Sequence, residues 1–291
     1  MDLSDRMKHY EQESVGKYLI KRCPAILRLD GRAFHSFCKG FIKPWDCRLQ
    51  YCMHSTGISL CKEISTAKFA YGQSDEISVL LTDYDNLETE QWFGGAIQKI
   101  VSVAASFATL SFNNIMRDLS EQIKGGSRFV IKEHVQEYPL SRKAGQAMFD
   151  ARVFSIPKED VVNYFVWRQQ DAIRNSISSL AQSVFSHKSL LGLNSEQLID
   201  KLKEESDLDW NKCPIYEQRG WSIQRSLYNS SSNPMYSFAD STQQREKKQW
   251  VVNLAIPIIS ENRGYVSEFL QVDGSTADDF GEREQEGERH E

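Results

Sequence analysis

Apolar and polar positions change period along the chain, and the changes mark out elements. Residues 25–30, AILRLD, alternate well enough for a strand. Lys43-Pro44-Trp45-Asp46 reads as a helix entry, since Pro44 and Asp46 suit a first turn. Leu49, Met53, Leu60 and Ile64 follow at helical spacing, which predicts a helix over residues 45–65. In AKFAYGQSDEISVLLTD the apolar runs Phe69–Tyr71 and Ile77–Leu81 flank the polar break Gly72-Gln73-Ser74-Asp75. That predicts a hairpin in which glycine supplies the turn. Residues 91–118 read as a closely packed helix, with small residues at 102, 104–106 and 108 and with Gly94-Gly95 near its start.

Further on, residues 121–147 read as a loop or irregular insertion, and 148–157, MFDARVFSIP, as a strand stopped by Pro157. A helix over 158–186 follows, with Val161, Tyr164, Phe165, Ile173, Ile177, Leu180, Ala181 and Val184 on its apolar side. A second, at 195–205, starts at a serine cap. Residues 229–249 read as a polar loop and 250–259 as a late strand. Through residue 157 the order is strand, helix, strand, strand, helix, strand. This is the α+β, ferredoxin-like βαββαβ pattern, which many functions share. The domain reading is residues 1–157 as the catalytic unit, 158–271 as a helical and C-terminal extension packed on it, and 272–291 as an acidic, disordered tail.

The pattern gives two acids a meaning. In this topology the first and third strands are neighbours, so Asp30, closing the first, can meet Asp75, at the hairpin entering the third. Two carboxylates held together repel unless a hard cation lies between them, and magnesium suits oxygen donors and phosphate co-ligands. Gly31 lets backbone approach an ion or a triphosphate closely. Strand parity puts Asp75 on the face of Ile77 and Val79, with Glu76 pointing alongside Ser78. Asp75 is therefore the expected ligand, with Glu76 assisting through a water or a second ion. Spacing alone equally allows Asp30 and Asp75 simply to cap turns, and Lys43 and Lys99 to be solvated surface charges.

Composition narrows the class. The 291 residues are 40% apolar and 26% charged, as in ordinary globular chains. No run nears the roughly 20 apolar residues of a membrane span, and the polar start MDLSDRMKHYEQES carries no secretory h-region. A cytoplasmic protein without a membrane partner is expected. The cysteines at 23, 38, 47, 52, 61 and 213 form no C-x-x-C pair, and Cys47, Cys52 and His54 are poorly spaced for zinc, so reduced thiols are expected. The net charge of −5 argues at first against nucleic acid, but residues 273–291 hold eight acids and two arginines. The remainder has 33 basic and 32 acidic residues, so bulk charge excludes nothing.

RLDGRAF (28–34), FIKP (41–44), YGQSDEIS (71–78), FDAR (149–152) and WRQQDAIRN (167–175) together resemble tRNA(His) guanylyltransferase and its relatives, over residues 5–220. The resemblance implies a polymerase-like palm domain that adds nucleotides to tRNA 5′ ends in the 3′→5′ direction, using two Mg2+ ions and GTP, ATP or other nucleoside triphosphates. It implies metal ligation by Asp30, the Gly31 carbonyl and Asp75, and catalytic roles for Asp30, Asp75 and Glu76. Nucleotide contacts are implied across Asp30, Gly31, Arg32, Ala33, Phe34, His35, Lys43, Asp46, Ser74, Asp75 and Glu76. tRNA contacts are assigned to Lys99, Arg168 and Arg174, the last two sharing a helix face with Asp171 at three-residue spacing; an exposed charged face with no tRNA role explains that spacing as well. A homo-oligomer, a tetramer by family analogy, is expected.

The chain departs from the eukaryotic enzymes where their H-I-N-N element stands: Ile173 replaces the histidine. This resembles the bacterial and archaeal branch that repairs truncated 5′ ends by copying the opposite strand, and makes obligatory guanosine addition to tRNA(His) the alternative. A nucleotide cyclase, suggested by GQSDEIS, and a non-catalytic RNA-binding protein are the other readings.

Overall fold

A strand covered on both faces needs apolar residues at odd and even positions, and residues 25–31 have them. The computed structural model describes residue 7 and residues 17–124, 139–227 and 248–271. The expected acidic tail, the polar loop to residue 247 and most of the expected insertion lie outside these described residues. Strands β1 (Ala25–Gly31), β2 (Ala67–Gln73), β3 (Glu76–Leu81), β4 (Phe149–Ser155), β5 (Trp221–Leu227) and β6 (Lys248–Asn253) form one antiparallel sheet in the order β4-β1-β3-β2-β5-β6. The longer helices are α1 (Cys47–Glu63), α2 (Ile97–Lys124), α3 (Lys158–Val184), α4 (Ser195–Glu205) and α5 (Ile215–Arg219).

Alternation assigns the two faces. Leu27 and Leu29 of β1, Ile77 and Val79 of β3, and Phe149 and Val153 of β4 join one core with α1 and α2. Ile26, Phe69, Tyr71 and Leu80 join a second core with Val161 and Phe165 of α3. Burying each such side chain stabilises the fold by about 1.5–3 kcal/mol. α2 presents Ile100, Ala104, Ala108, Phe112 and Met116, all at 0% exposure and four residues apart. Its start is later than the pattern predicts because Phe93 and Gly94 adopt positive φ within a short 3-10 turn, Trp92–Gly95. α4 is capped by Asn194 rather than by Ser195, with the Gln197 side chain closing a capping box.

The sheet takes strands from both sides of residue 157, since β5 pairs with β2 and β6 with β5. The late strand stops at Asn253 instead of running to 259. Pro257 has no N–H for a ladder, and the fully buried Ile256 and Ile259 turn into the α3 core. The hairpin turn also differs from expectation. It is the pair Ser74–Asp75, with Ser74 in the left-handed region at φ 50°, and Gly72 lies inside β2. A Cβ on Gly72 would sit 2.2 Å from the Trp221 indole of β5, so the glycine serves strand packing rather than the turn. Gly72→Ala is therefore expected to lower stability by about 1–3 kcal/mol, through overpacking against Trp221. Urea denaturation measures this, and a change under about 0.5 kcal/mol would contradict it.

Candidate active site

The end of β1 is stitched to the hairpin. Asp30 lies opposite Glu76 of β3 and Asp150 of β4, and the Gly31 N–H donates to the Asp75 carbonyl at 3.1 Å. Two acids 45 positions apart in sequence are thus carried by directly adjacent backbones. The Asp75 carboxylate accepts from the Ser74 hydroxyl at 2.9 Å. Burial pushes its pKa above the usual range and the Asp30 charge pushes the same way, against the Ser74 hydrogen bond. Asp30 keeps a third of its side chain exposed and meets Arg28 at 3.1 Å.

Gly31 has a packing reason as well as the expected backbone one. A Cβ there would lie 2.3 Å from the Phe34 ring, which is itself fixed among Phe37, Phe112 and Phe149. Between them, Arg32 donates its N–H to the Met148 carbonyl and Ala33 turns at φ 55°, which lays Phe34–Phe37 back over the strand end as one helical turn.

Beside the hairpin opens a cleft of about 770 Å3, a size suited to a nucleotide. Phe34, His35, Lys43, Asp46, Ser74 and Asp75 line it, and Asn175 and Ser179 of α3 and Tyr216 and Trp221 face them. Asp30, Gly31, Arg32, Ala33 and Glu76 do not line it, and neither do Lys99, Arg168 and Arg174.

Several sequence expectations are corrected here. Asp46 lines the cleft, but its carboxylate is engaged within the chain. It accepts from the Ile42 and Arg48 N–H groups, each at 3.0 Å, and from Arg48 Nε at 2.8 Å. Against the upward push of burial, these partners hold its pKa low. Asp46 therefore caps α1 and folds the 42–48 segment.

Glu76 lies on the face that parity predicts, but its oxygens are taken. Arg168 donates to both, Nε to Oε1 and Nη2 to Oε2, at 2.7 Å each, and Arg28 meets Oε2 at 2.6 Å. Burial pushes Glu76 upward, and the two arginines pull it back toward the charged form. Arg168 is only 4% exposed and so cannot be an RNA contact. As three-residue spacing predicts, Arg168 and Arg174 both bond Asp171, at 3.0 and 3.2 Å, but the Arg168 guanidinium is buried on Glu76 while Arg174 stays 57% exposed. Lys99 is exposed, with its ammonium over the Phe93 ring at 4.7 Å.

Sequence reasoning missed Arg28, although its i, i+2 relation to Asp30 was a usable signal. It also missed Tyr216 and Trp221, for which no local pattern existed. Among the described residues, no three or more His, Cys, Asp or Glu side chains gather as a metal cluster, and no cysteine is in a disulfide. The Asp30 and Asp75 carboxylates and the Gly31 carbonyl, carried by adjacent backbones, are a smaller group of oxygen donors. That set fits a hard divalent cation.

A family model described as tRNAHis guanylyltransferase matches residues 4–157. An uncharacterised protein of Acanthamoeba polyphaga mimivirus is 28% identical over 77% of this chain and 77% of its own. The tRNA(His) guanylyltransferase 2 of Arabidopsis thaliana is 26% identical over 76% of this chain, which spans 38% of that protein. A bacterial tRNA(His) guanylyltransferase-like protein has been solved with ATP and with GTP. Its ATP complex superposes with a TM-score of 0.76 at 38% identity, covering 94% of this chain and all of that one. Its GTP complex gives 0.70 at 37% identity, covering 92% and 98%.

Proposed function

Since this chain belongs to the tRNAHis guanylyltransferase family, a family of nucleotidyltransferases that extend tRNA in the 3′→5′ direction, we propose that it repairs 5′-truncated tRNA by templated nucleotide addition. The cyclase and the non-catalytic RNA-binding readings give way to this. The observation that carries the reading is the strand end of Asp30 stitched to Asp75, which lines a cleft with Lys43. We read the βαββαβ part of the sheet as a polymerase palm, whose strand ends present acids to a triphosphate.

In the reaction, the 3′-hydroxyl of the incoming nucleoside triphosphate attacks the activated 5′ phosphate of the RNA. A phosphodiester forms, and pyrophosphate leaves a 5′-triphosphate end, or AMP leaves an adenylylated one. Asp30, Asp75 and the Gly31 carbonyl would hold two magnesium ions. When bound, magnesium lowers the pKa of the attacking hydroxyl and neutralises the leaving group. Lys43 neutralises triphosphate charge as a point cation, with the backbone from Arg32 to His35 alongside. Asn175 and Ser179 offer hydrogen bonds to sugar or base from the far wall. Glu76 acts from behind, as the counterion that fixes Arg28 and Arg168. Lys99 and Arg174, both exposed, remain the candidates for tRNA phosphate contacts. A cytoplasmic location and a homotetramer complete the proposal, the first supported by the free thiols among the described residues.

Templated repair is favoured over obligatory guanosine addition at Ile173. The side chain that replaces the family's histidine packs with Trp45 and Leu190 around an apolar cluster. Truncated tRNAs lacking one 5′ nucleotide, with the opposing base varied, give the test. Incorporation should follow the complement of that base. Guanosine addition regardless of the opposing base would reject repair.

A further inference from the structure

We infer that the exposed indole of Trp167 is the plate on which the terminal base pair of the RNA's 5′ end stacks when that end is presented to Asp30. The inference rests on the 3′→5′ nucleotidyltransferase reading and names the part of the substrate this surface takes. Two reactants must meet at the acids. The cleft on the Asp75 side suits the nucleotide, and Asp30 does not line it. Directly paired residues of an antiparallel ladder share a face, so Asp30 lies with Arg28, Glu76 and Asp150 on the α3 side of the sheet. The RNA end is left to arrive on that flank, where Asp30 is 32% exposed.

That flank is bounded by the edge strand β4 and by α3, and aromatic rings join them. Tyr164 packs on Phe154 of β4 at 5.9 Å and on Trp167 at 5.8 Å. The Arg168 guanidinium lies 4.5 Å from the Trp167 ring centroid and is clamped on Glu76, the ladder partner of Asp30. The indole is thus tied to Asp30 through one rigid chain of contacts, yet Trp167 remains 50% exposed. Two helical turns on, at i+7, Arg174 is 57% exposed, as is Arg152 on β4. Each is held by a neighbouring acid, Arg174 by Asp171 at 3.2 Å and Arg152 by Asp150 at 3.4 Å, and each keeps donors free for a phosphate. A fixed, half-exposed aromatic plate tied to the strand end of a reaction centre, with exposed arginines on the same helix and strand, is the arrangement that stacks a nucleic-acid base. Its fixed ring orientation keeps the ordering cost low.

The test uses the full chain and two synthetic acceptor-stem RNA hairpins with a recessed 5′ end. One carries an intact terminal pair, and in the other both bases of that pair are abasic. Trp167→Ala should weaken binding of the intact hairpin about tenfold and leave binding of the abasic one at the wild-type level. Trp167→Phe, which keeps a ring, should retain most of the affinity. ATP binding should be unchanged in both variants, which shows the cleft intact. Equal loss on both hairpins, or no loss on the intact one, overturns the proposal. A fall in oligomer mass of Trp167→Ala by light scattering also overturns it, because the ring then lies between copies of the chain. Failure of the wild type to bind or extend either hairpin sinks the tRNA reading itself, a result distinct from the others.

Discussion

Asparagine at position 30 is expected to cut nucleotide addition roughly 10³-fold or more, about 4 kcal/mol of transition-state stabilisation. The substitution keeps the size of the side chain and an acceptor for Arg28, so the strand end should fold as before. It removes one of the two anionic donors proposed for the ions, and the loss should fall on kcat rather than on nucleotide binding, which the cleft supplies. Addition of a labelled nucleotide to truncated tRNA measures the rate, and ATP titration measures the cleft. A variant within tenfold of wild type would remove the metal-binding role of Asp30. The change carries a second signature, in the Asp75 carboxyl. The Asp30 charge now adds to the upward push of burial on that group. Neutralising position 30 therefore lets the Asp75 pKa fall, and a carboxyl titration followed by NMR should show the drop.

Arg168→Ala is the variant expected to damage the fold most. It leaves the Glu76 carboxylate, 6% exposed, without the guanidinium that bonds both its oxygens. Breaking such a pair costs about 3–5 kcal/mol, since the remaining charge stays buried. Arg28 still reaches one oxygen and keeps the loss toward the lower end. The pH dependence gives the sign. Burial already raises Glu76, and the two arginines oppose the rise. Without Arg168 the folded-state pKa climbs further above its unfolded value. The folded variant then binds the extra proton, and its stability recovers as pH falls through that raised pKa toward the unfolded one. The gap to wild type should therefore be larger at pH 8 than at pH 5, as measured by thermal melts. Arg168→Lys should recover only part of the loss, because an ammonium cannot span both oxygens as the planar fork does. A pH-independent gap below about 1 kcal/mol would show the clamp to be incidental.

Much of the architecture was legible because local period is a local property. The alternation in β1 and β3 sorted Leu27, Leu29, Ile77 and Val79 onto one face and Arg28, Asp30 and Glu76 onto the other. The approach of Asp30 to Asp75 followed from strand order alone. The errors share a cause. Gly72 was read as a turn glycine because a glycine near a polar break usually is one, whereas Trp221, 149 positions away, is what forbids a side chain there. The engagement of the Asp46 oxygens by Ile42 and Arg48 went unread in the same way, because it depends on how the loop folds back.

The sequence by itself determined the succession of strands and helices, the face each strand side chain takes, and which two acids close neighbouring strand ends. Only the tertiary structure decided that Arg168 neutralises Glu76 instead of reaching RNA, that Trp221 lies on Gly72, and that α3 and α5 wall the cleft. Backbone sterics and side-chain period act over a few residues and can be read along the chain. Partnerships across 92 or 149 positions are set by how finished elements pack, and no local pattern encodes them.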